Sequence, residues 1–362
     1  MQETDTPYLV VDESVSINNI ERMAHRSRSL EKELRPHSKT HKSPFWAQQQ
    51  MAYGADGVMV AKLSEAEVMV EHNVINLSLG YPVIGSAKIE RLQALVDNGA
   101  RVRVSVDSLE GLLALAVVGR HLGTPIEALV EIDTGMHRVG ILHPVDIIEM
   151  ARAIEKTPGV EYAGITCFGG HVAQNLDRDQ IILKIREENQ QLQIIRDLLR
   201  HEGLAPRIIS EGGTIAAAFM DELTVATEVR PGTYIYNDAA TIAAHGAAIE
   251  ECALTVKTMV VSKPTLGRII LDAGSKTLSS DGPVLGGYGI IKGHPDLIIS
   301  RLSEEHGIVE SRYQGKISLA IGDIVEVIPN HACTTVNLHH RVMGRKGATM
   351  REIRTLARGC VQ

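Results

Sequence analysis

A chain of 362 residues fits two domains, or one barrel with an appendage, at roughly 100–200 residues per domain, so a single small module is excluded. Hydrophobic residues at 44% and charged residues at 22% exclude disorder and collagen-like repeats, and the 3% aromatic content leaves a core of Ile, Val, Leu, Ala and Met, as in parallel α/β packing. The net charge of −7, with Lys and Arg scattered, argues against a nucleic-acid partner.

The opening MQETDTPYLVV has no basic stretch followed by an apolar run, and no window approaches the roughly 18 apolar residues of a membrane span. A soluble, cytoplasmic protein with no membrane contact is expected. Cys167, Cys252, Cys333 and Cys360, with no C-x-x-C among them, suggest neither a disulfide framework nor a structural zinc cluster.

TPYLVVD reads as a strand and is followed by a helix from Glu13 to about Glu33. Eight β-branched runs come next: Leu34–Thr40, Gly57–Lys62, Ile75–Tyr81, Arg101–Val106, Glu127–Asp133, Tyr162–Phe168, Arg207–Glu211 and Val229–Tyr236. Amphipathic stretches lie between them, among them Ser64–His72, Ser86–Asn98, Ser108–Leu122, Val145–Lys156 and Asp177–His201. Eight strand–helix units predict a closed (β/α)8 TIM barrel over residues 13–245, close to the usual size of about 250 residues, with a doubly wound open sheet as runner-up. After Gly246 the period falls to two without helices: ALTVKTMVVS, GRIILDAGS, GYGIIKG, DLIISRL, GIVES, DIVEVIPNH, TTVNL, HRVMG. Residues 246–362 are therefore expected to form an antiparallel β domain, with 1–12 adding a strand.

In a barrel the chemistry belongs at the C-terminal strand ends. Those ends carry His37, Lys39, His41, Lys42, Lys62, Tyr81, Asp133, His171, Ser210–Thr214, Tyr234 and Tyr236, with Arg138 in a following loop. EGGTIAAA joins a strand to a helix through Gly212, Gly213 and Thr214, either a phosphate cradle or a tight turn with Thr214 as cap. Beside a strand-end lysine, such a cradle suggests pyridoxal 5'-phosphate. Within RPHSKTHK the spacing favours Lys39 over Lys42, a basic surface loop being the alternative. His331 and Cys333, two apart on an expected strand, would face the same way and share a divalent metal with open positions; the alternative is a buried neutral His beside a packed Cys.

RPHSKTHK (35–42), GMHRVG (135–140), FGGH (168–171), EGGT (211–214), RPGTY (230–234), LDAGSKTLSSD (271–281), SEEHG (303–307) and PNHACTTVN (329–337) together resemble the D-threonine aldolase and D-serine dehydratase family, relatives of alanine racemase. The resemblance runs nearly end to end. It implies a homodimeric pyridoxal 5'-phosphate lyase, activated by zinc, manganese or magnesium, acting on a small-molecule β-hydroxy D-amino acid. Lys39 would hold the cofactor covalently, Gly212, Gly213 and Thr214 its phosphate, and Arg138 and Tyr234 or Tyr236 would line it. His171 matches a base, His331 and Cys333 the metal ligands, and His306 a neighbour of the metal. Aldolases of the group carry H-x-D and dehydratases H-x-C, whereas the flanks PNH and VNL look like those of chains grouped with the aldolases. The resemblance thus implies a D-threonine aldolase first and a D-serine or D-3-hydroxyaspartate dehydratase second, with a non-catalytic carrier of the cofactor as the competing class; racemisation would leave the metal pair unused.

Overall fold

The computed structural model describes residues 5–173, 177–313 and 315–362, so residues 1–4 of the stretch 1–12 lie outside the described residues. The chain divides into two units. The first comprises Met1–Glu21, Thr40–Ser43 and Thr233–Gly359; the second comprises Arg22–Lys39, Pro44–Gly232 and Cys360–Gln362.

In chain order, β1 (Tyr8–Asp12) and α1 (Glu13–Ser29) precede β2 (Glu33–Leu34), α2 (Pro44–Ala52), β3 (Val58–Val60), α3 (Leu63–Glu71), β4 (Asn76–Leu79), α4 (Ser86–Asp97) and β5 (Arg101–Val106). Then come α5 (Leu109–Leu122), β6 (Ile126–Ile132), α6 (Pro144–Lys156), β7 (Val160–Cys167), α7 (Arg178–His201), β8 (Ile208–Glu211), α8 (Thr214–Ala218) and β9 (Glu228–Val229). The second unit's eight strands form one sheet in the order β2-β9-β8-β7-β6-β5-β4-β3, every pair parallel and without the reversal of a doubly wound sheet. At its ends, a parallel bridge joins His37 to Met59, and Pro36 O accepts from Met59 N at 2.8 Å. Parallel strands covered on both faces bury both sets of side chains, which is why β3 reads as a continuous apolar run and why β6 and β8 are buried along almost their whole length, their acids Glu131 and Glu211 included.

The helices follow from local signals. Pro144 opens α6, whose buried Ile147, Met150, Ala151 and Ile154 recur at helical spacing. Asp177 and Gln180 form a capping box on α7, and Gly123 in the left-handed region ends α5. Within the sheet, the buried Glu228 accepts from Arg35 Nε at 2.7 Å and Arg103 Nη1 at 2.9 Å, tying β9 to β5 and to the residue after β2.

In the first unit, α9 (Ala239–Ala243) precedes β10 (Leu254–Thr265), β11 (Arg268–Leu271), α10 (Ser275–Leu278), β12 (Ile290–Ile291), β13 (Leu297–Leu302), β14 (Gly307–Ser311) and β15 (Ile324–Ile328). α11 (Ala332–Asn337), β16 (Arg341–Lys346) and β17 (Thr349–Arg354) complete it. The sheet runs β13-β14-β11-β10-β1-β16-β17, with β15 pairing β10 and β12. Only β1 with β16 is parallel among these pairs, so the sheet is mixed but mostly antiparallel.

Several expected elements are corrected. The runs Leu34–Thr40 and Val229–Tyr236 share only their first residues with strands, the two-residue β2 and β9, because Pro36 and Pro231 cannot donate to a ladder and 3-10 turns take over at Ser38–Thr40 and Thr233–Ile235. TTVNL is not a strand: it lies in and just after α11, whose first amide, Ala332 N, donates to the buried Asp238 Oδ2 at 2.8 Å. The first helix stops at Ser29, and β17 adds a strand to those expected. Among the described residues no helix is long and apolar enough to cross a membrane.

Candidate active site

Lys39 sits in the 3-10 turn after β2. Ser38 pins that turn, donating from Oγ to Met59 O at 3.0 Å and to Glu65 Oε1 at 2.8 Å. From there Lys39 Nζ reaches to 5.5 Å from the centroid of Phe168, the residue after β7. Arg138, from the loop after β6, brings its guanidinium carbon to 4.9 Å from the same centroid. The backbone at Gly213 approaches the ring so closely that a Cβ would lie 3.2 Å from Phe168 Cε2. Three of the expected residues, Lys39, Arg138 and Gly213, therefore converge on one aromatic ring.

His171 follows two glycines in the turn Gly170–Ala173. Its Nε2 faces Gly135, where a Cβ would lie 3.0 Å away; Gly135 also has φ +126°, a conformation that favours glycine. That glycine belongs to the Arg138 loop, which Asp133 shapes by accepting from Gly135 N at 2.9 Å and His137 N at 3.0 Å. Burial pushes the Asp133 carboxyl up, but those amides and His137 hold it below its ordinary range. Gly212, at φ +80°, turns the chain into α8, and Thr214 Oγ1 accepts from Gly232 N at 3.1 Å. The opening amides of a helix have no intrahelical acceptor, so this turn presents N–H groups to an anion.

Sequence reasoning gave no role to two acids behind these residues. Glu211 is fully buried, with neither carboxylate oxygen hydrogen-bonded among the described residues; burial and the neighbouring Glu188 push it up to about 8, against the pull of Lys32 and Arg230. Glu188 is buried within the apolar stripe of α7. Its signal in the sequence was a lone acid at a position where the helical period calls for Ile or Leu. Cys167, also buried, has its thiol pushed well above its ordinary value by burial and the surrounding carboxylates.

Tyr234, Tyr236, His306, His331 and Cys333 belong to the first unit. Tyr234 and Tyr236 are buried in and just after the 3-10 turn Thr233–Ile235, not on a strand. His331 is the N-cap of α11 and Cys333 lies in its first turn. The extended-strand argument for this pair therefore fails, and a helix cap brings the two together instead. Their side chains hydrogen-bond, His331 Nδ1 lies 3.3 Å from Asp281 Oδ2, and Cys333 Sγ lies 3.1 Å from Thr40 Oγ1. Burial pulls the His331 imidazole down, but Cys333, Asp238 and Asp281 outweigh it and push it up to about 9. An imidazole beside a thiol and a carboxyl is a donor set that suits a cation. Among the described residues no group of three or more His, Cys, Asp or Glu is arranged to hold a metal, so any ion here would rest on a pair. His306 stands exposed in the turn between β13 and β14.

Residues 11–240 match the family model described as alanine racemase, N-terminal domain, and residues 253–344 match a putative serine dehydratase domain. A D-threonine aldolase from Arthrobacter sp. is 32% identical over 342 residues, covering 94% of this chain and 88% of the relative. The structure of D-threonine aldolase from Filomicrobium marinum is similar at a TM-score of 0.90 and 30% identity, over 99% of this chain and 97% of that one. D-threo-3-hydroxyaspartate dehydratase from Delftia sp. HT23 is similar at a TM-score of 0.90 and 27% identity, over 98% of each chain, and a cysteine-to-alanine variant of an enzyme of that name matches in a metal-free form. With a family model covering its N-terminal two-thirds and these relatives spanning nearly all of it, the chain belongs to the family of D-threonine aldolases and D-serine dehydratases built on the alanine racemase N-terminal domain.

Proposed function

We propose that this protein is a pyridoxal 5'-phosphate- and divalent-metal-dependent lyase of β-hydroxy D-amino acids that cleaves a D-threonine-type substrate to glycine and an aldehyde. The convergence of Lys39, Arg138 and Gly213 on Phe168 carries the reading. An amine, a guanidinium and a glycine turn around one flat ring fit a carbonyl-bearing, phosphorylated aromatic cofactor. Lys39 would hold its carbonyl carbon, Gly212, Gly213 and Thr214 its phosphate, and Arg138 its phenolic oxygen, with Tyr234 or Tyr236 lining it. When bound, the cofactor would supply an electron sink for the pair left on Cα. A divalent cation on His331 and Cys333 would supply Lewis acidity at the substrate's β-oxygen, and the thiolate favours zinc.

In this reading His171 takes the β-hydroxyl proton on Nε2. The O–H electrons become the aldehyde's C=O bond as Cα–Cβ breaks, and Cα is reprotonated to give glycine.

Cys333 favours a second reading, dehydration, in which the Lys39 amine takes the Cα proton, the β-hydroxide leaves, and water hydrolyses the released enamine to a keto acid and ammonium. A non-catalytic cofactor carrier is disfavoured by the additional sheet carrying the His331–Cys333 pair, which such a protein would not need. We extend this reading to closure of the eight-stranded sheet into a barrel, supported by the His37–Met59 bridge, and to a barrel domain over 13–245, a β domain over 1–12 and 246–362, a homodimer and a cytoplasmic location.

The test is product analysis of the purified holoenzyme with D-threonine and D-serine at several added divalent metals. Acetaldehyde with glycine is expected from D-threonine. Keto acid with ammonium from both substrates overturns the aldolase in favour of the dehydratase, and no turnover of either overturns the lyase.

A further inference from the structure

Glu188 is a buried acid for which this mechanism has no use. It is 2% exposed and shares the inner face of α7 with Ile181, Ile185 and Leu192, where an aliphatic side chain would avoid the desolvation cost of a carboxylate. Its Oε1 accepts from Thr134 Oγ1 and lies 3.6 Å from Cys167 Sγ. Its Oε2 has no hydrogen-bond partner among the described residues, and it presses so closely on Gly169 that a Cβ there would collide with it. Two residues along the same turn, His171 Nδ1 is buried and likewise has no hydrogen-bond partner among the described residues. An acceptor and a ring nitrogen able to donate thus flank one three-residue turn, each with an unused bond.

We propose that Glu188 is a positioning residue for His171: its Oε2 takes the Nδ1 proton in a hydrogen bond, directly or through one water, and so leaves the Nε2 lone pair for the substrate's β-hydroxyl. This rests on the reading of His171 as the base. A carboxylate behind an imidazole fixes the tautomer and stabilises the ring once it has gained a second proton. The proton balance is unchanged: the substrate O–H breaks, Nε2–H forms, and Nδ1–H stays on the ring. The charged and titratable groups facing Glu188 are His171, Cys167, Arg230 and Glu211, and Lys32 in turn faces Glu211. Burial pushes the Glu188 carboxyl up, while Thr134, His171, Cys167 and Arg230 pull it back.

The test compares wild-type holoenzyme with Glu188→Gln, which keeps the shape and the Thr134 hydrogen bond, and with Gly169→Ala, whose methyl group displaces the carboxylate. Both variants are expected to lose kcat by roughly 10–100-fold at unchanged KM. Loss of the anion destabilises the imidazolium, so the acid limb of the kcat–pH profile is expected to move down by roughly one pH unit in Glu188→Gln. The His171 ring titration, followed by NMR in protein with 15N-labelled histidine and assigned against His171→Ala, is expected to move with it. An unmoved limb and an unmoved ring titration in a folded Glu188→Gln protein overturn the assignment. So does a His171→Ala/Glu188→Gln double variant slower than His171→Ala by the full Glu188→Gln factor. Failure of the base reading is distinguishable: His171→Ala then keeps its rate, while the ring titration still decides whether Glu188 pairs with His171.

Discussion

Lys39 and Arg138 reach Phe168 from different loops, so truncating the ring removes the surface on which both cations lean. Each such cation–ring interaction is worth ~0.5–1 kcal/mol, and removing it through Phe168→Ala is expected to weaken cofactor binding by roughly 2–5-fold per cation, as measured by absorbance titration of the apoprotein. His171→Ala is expected to slow turnover by ~10²–10⁴-fold while the cofactor's absorbance persists, and an unchanged rate removes His171 from the chemistry. Glu211 makes a pH prediction. Its carboxyl, held up to about 8 in the folded protein against an ordinary 4.5, stays protonated between those values while the unfolded chain has lost its proton. The native state then binds more protons, so Glu211 makes stability fall as pH rises from about 4.5 to about 8. Glu211→Gln is expected to flatten that slope and raise stability at pH 8 by ~1–3 kcal/mol, read from denaturant midpoints at a series of pH values. An equally steep slope in the variant would show that Glu211 is ionised throughout.

Among the elements, α5 and α7 carry opposite lessons about local propensity. An alanine inside a helix ordinarily gains about 1 kcal/mol over glycine. At Gly119 of α5, however, a Cβ would fall inside the Gly159 carbonyl, so Gly119→Ala is expected to cost ~1–3 kcal/mol in urea unfolding. Asp177 caps α7, accepting from Gln180 N at 2.9 Å, and Asp177→Ala is expected to lose ~0.5–2 kcal/mol. The amphipathic stretches of these helices were legible in the sequence, as were most of the parallel strands, because β-branched and aliphatic residues cluster where both faces of a strand are covered. The strands around Pro36 and Pro231 were not, since a β-branched run reads as a strand whether or not its amides find partners. TTVNL shows the same limit: three β-branched residues prefer extension, and only the buried carboxylate of Asp238 at the helix start reverses that preference.

For the whole molecule, the proposed chemistry divides into a cofactor group on the second unit and a metal pair on the first. Chelation of the holoenzyme is therefore expected to abolish turnover, reversibly on adding zinc or manganese, while the cofactor's absorbance stays intact. Turnover that survives chelation would point to a metal-independent reaction such as racemisation.

Sequence by itself determined six of the eight parallel strands, the strand-rich region after them and the family, because periodicity and motif spacing are properties of the chain alone. Tertiary structure decided that Lys39, Arg138 and Gly213 share one ring, that His331 and Cys333 meet at a helix cap, and that Glu188 and Glu211 are buried acids. Those facts depend on groups far apart in the chain coming within a few ångströms. Desolvation and Coulomb interactions fall off with distance in space, which spacing along the sequence does not record.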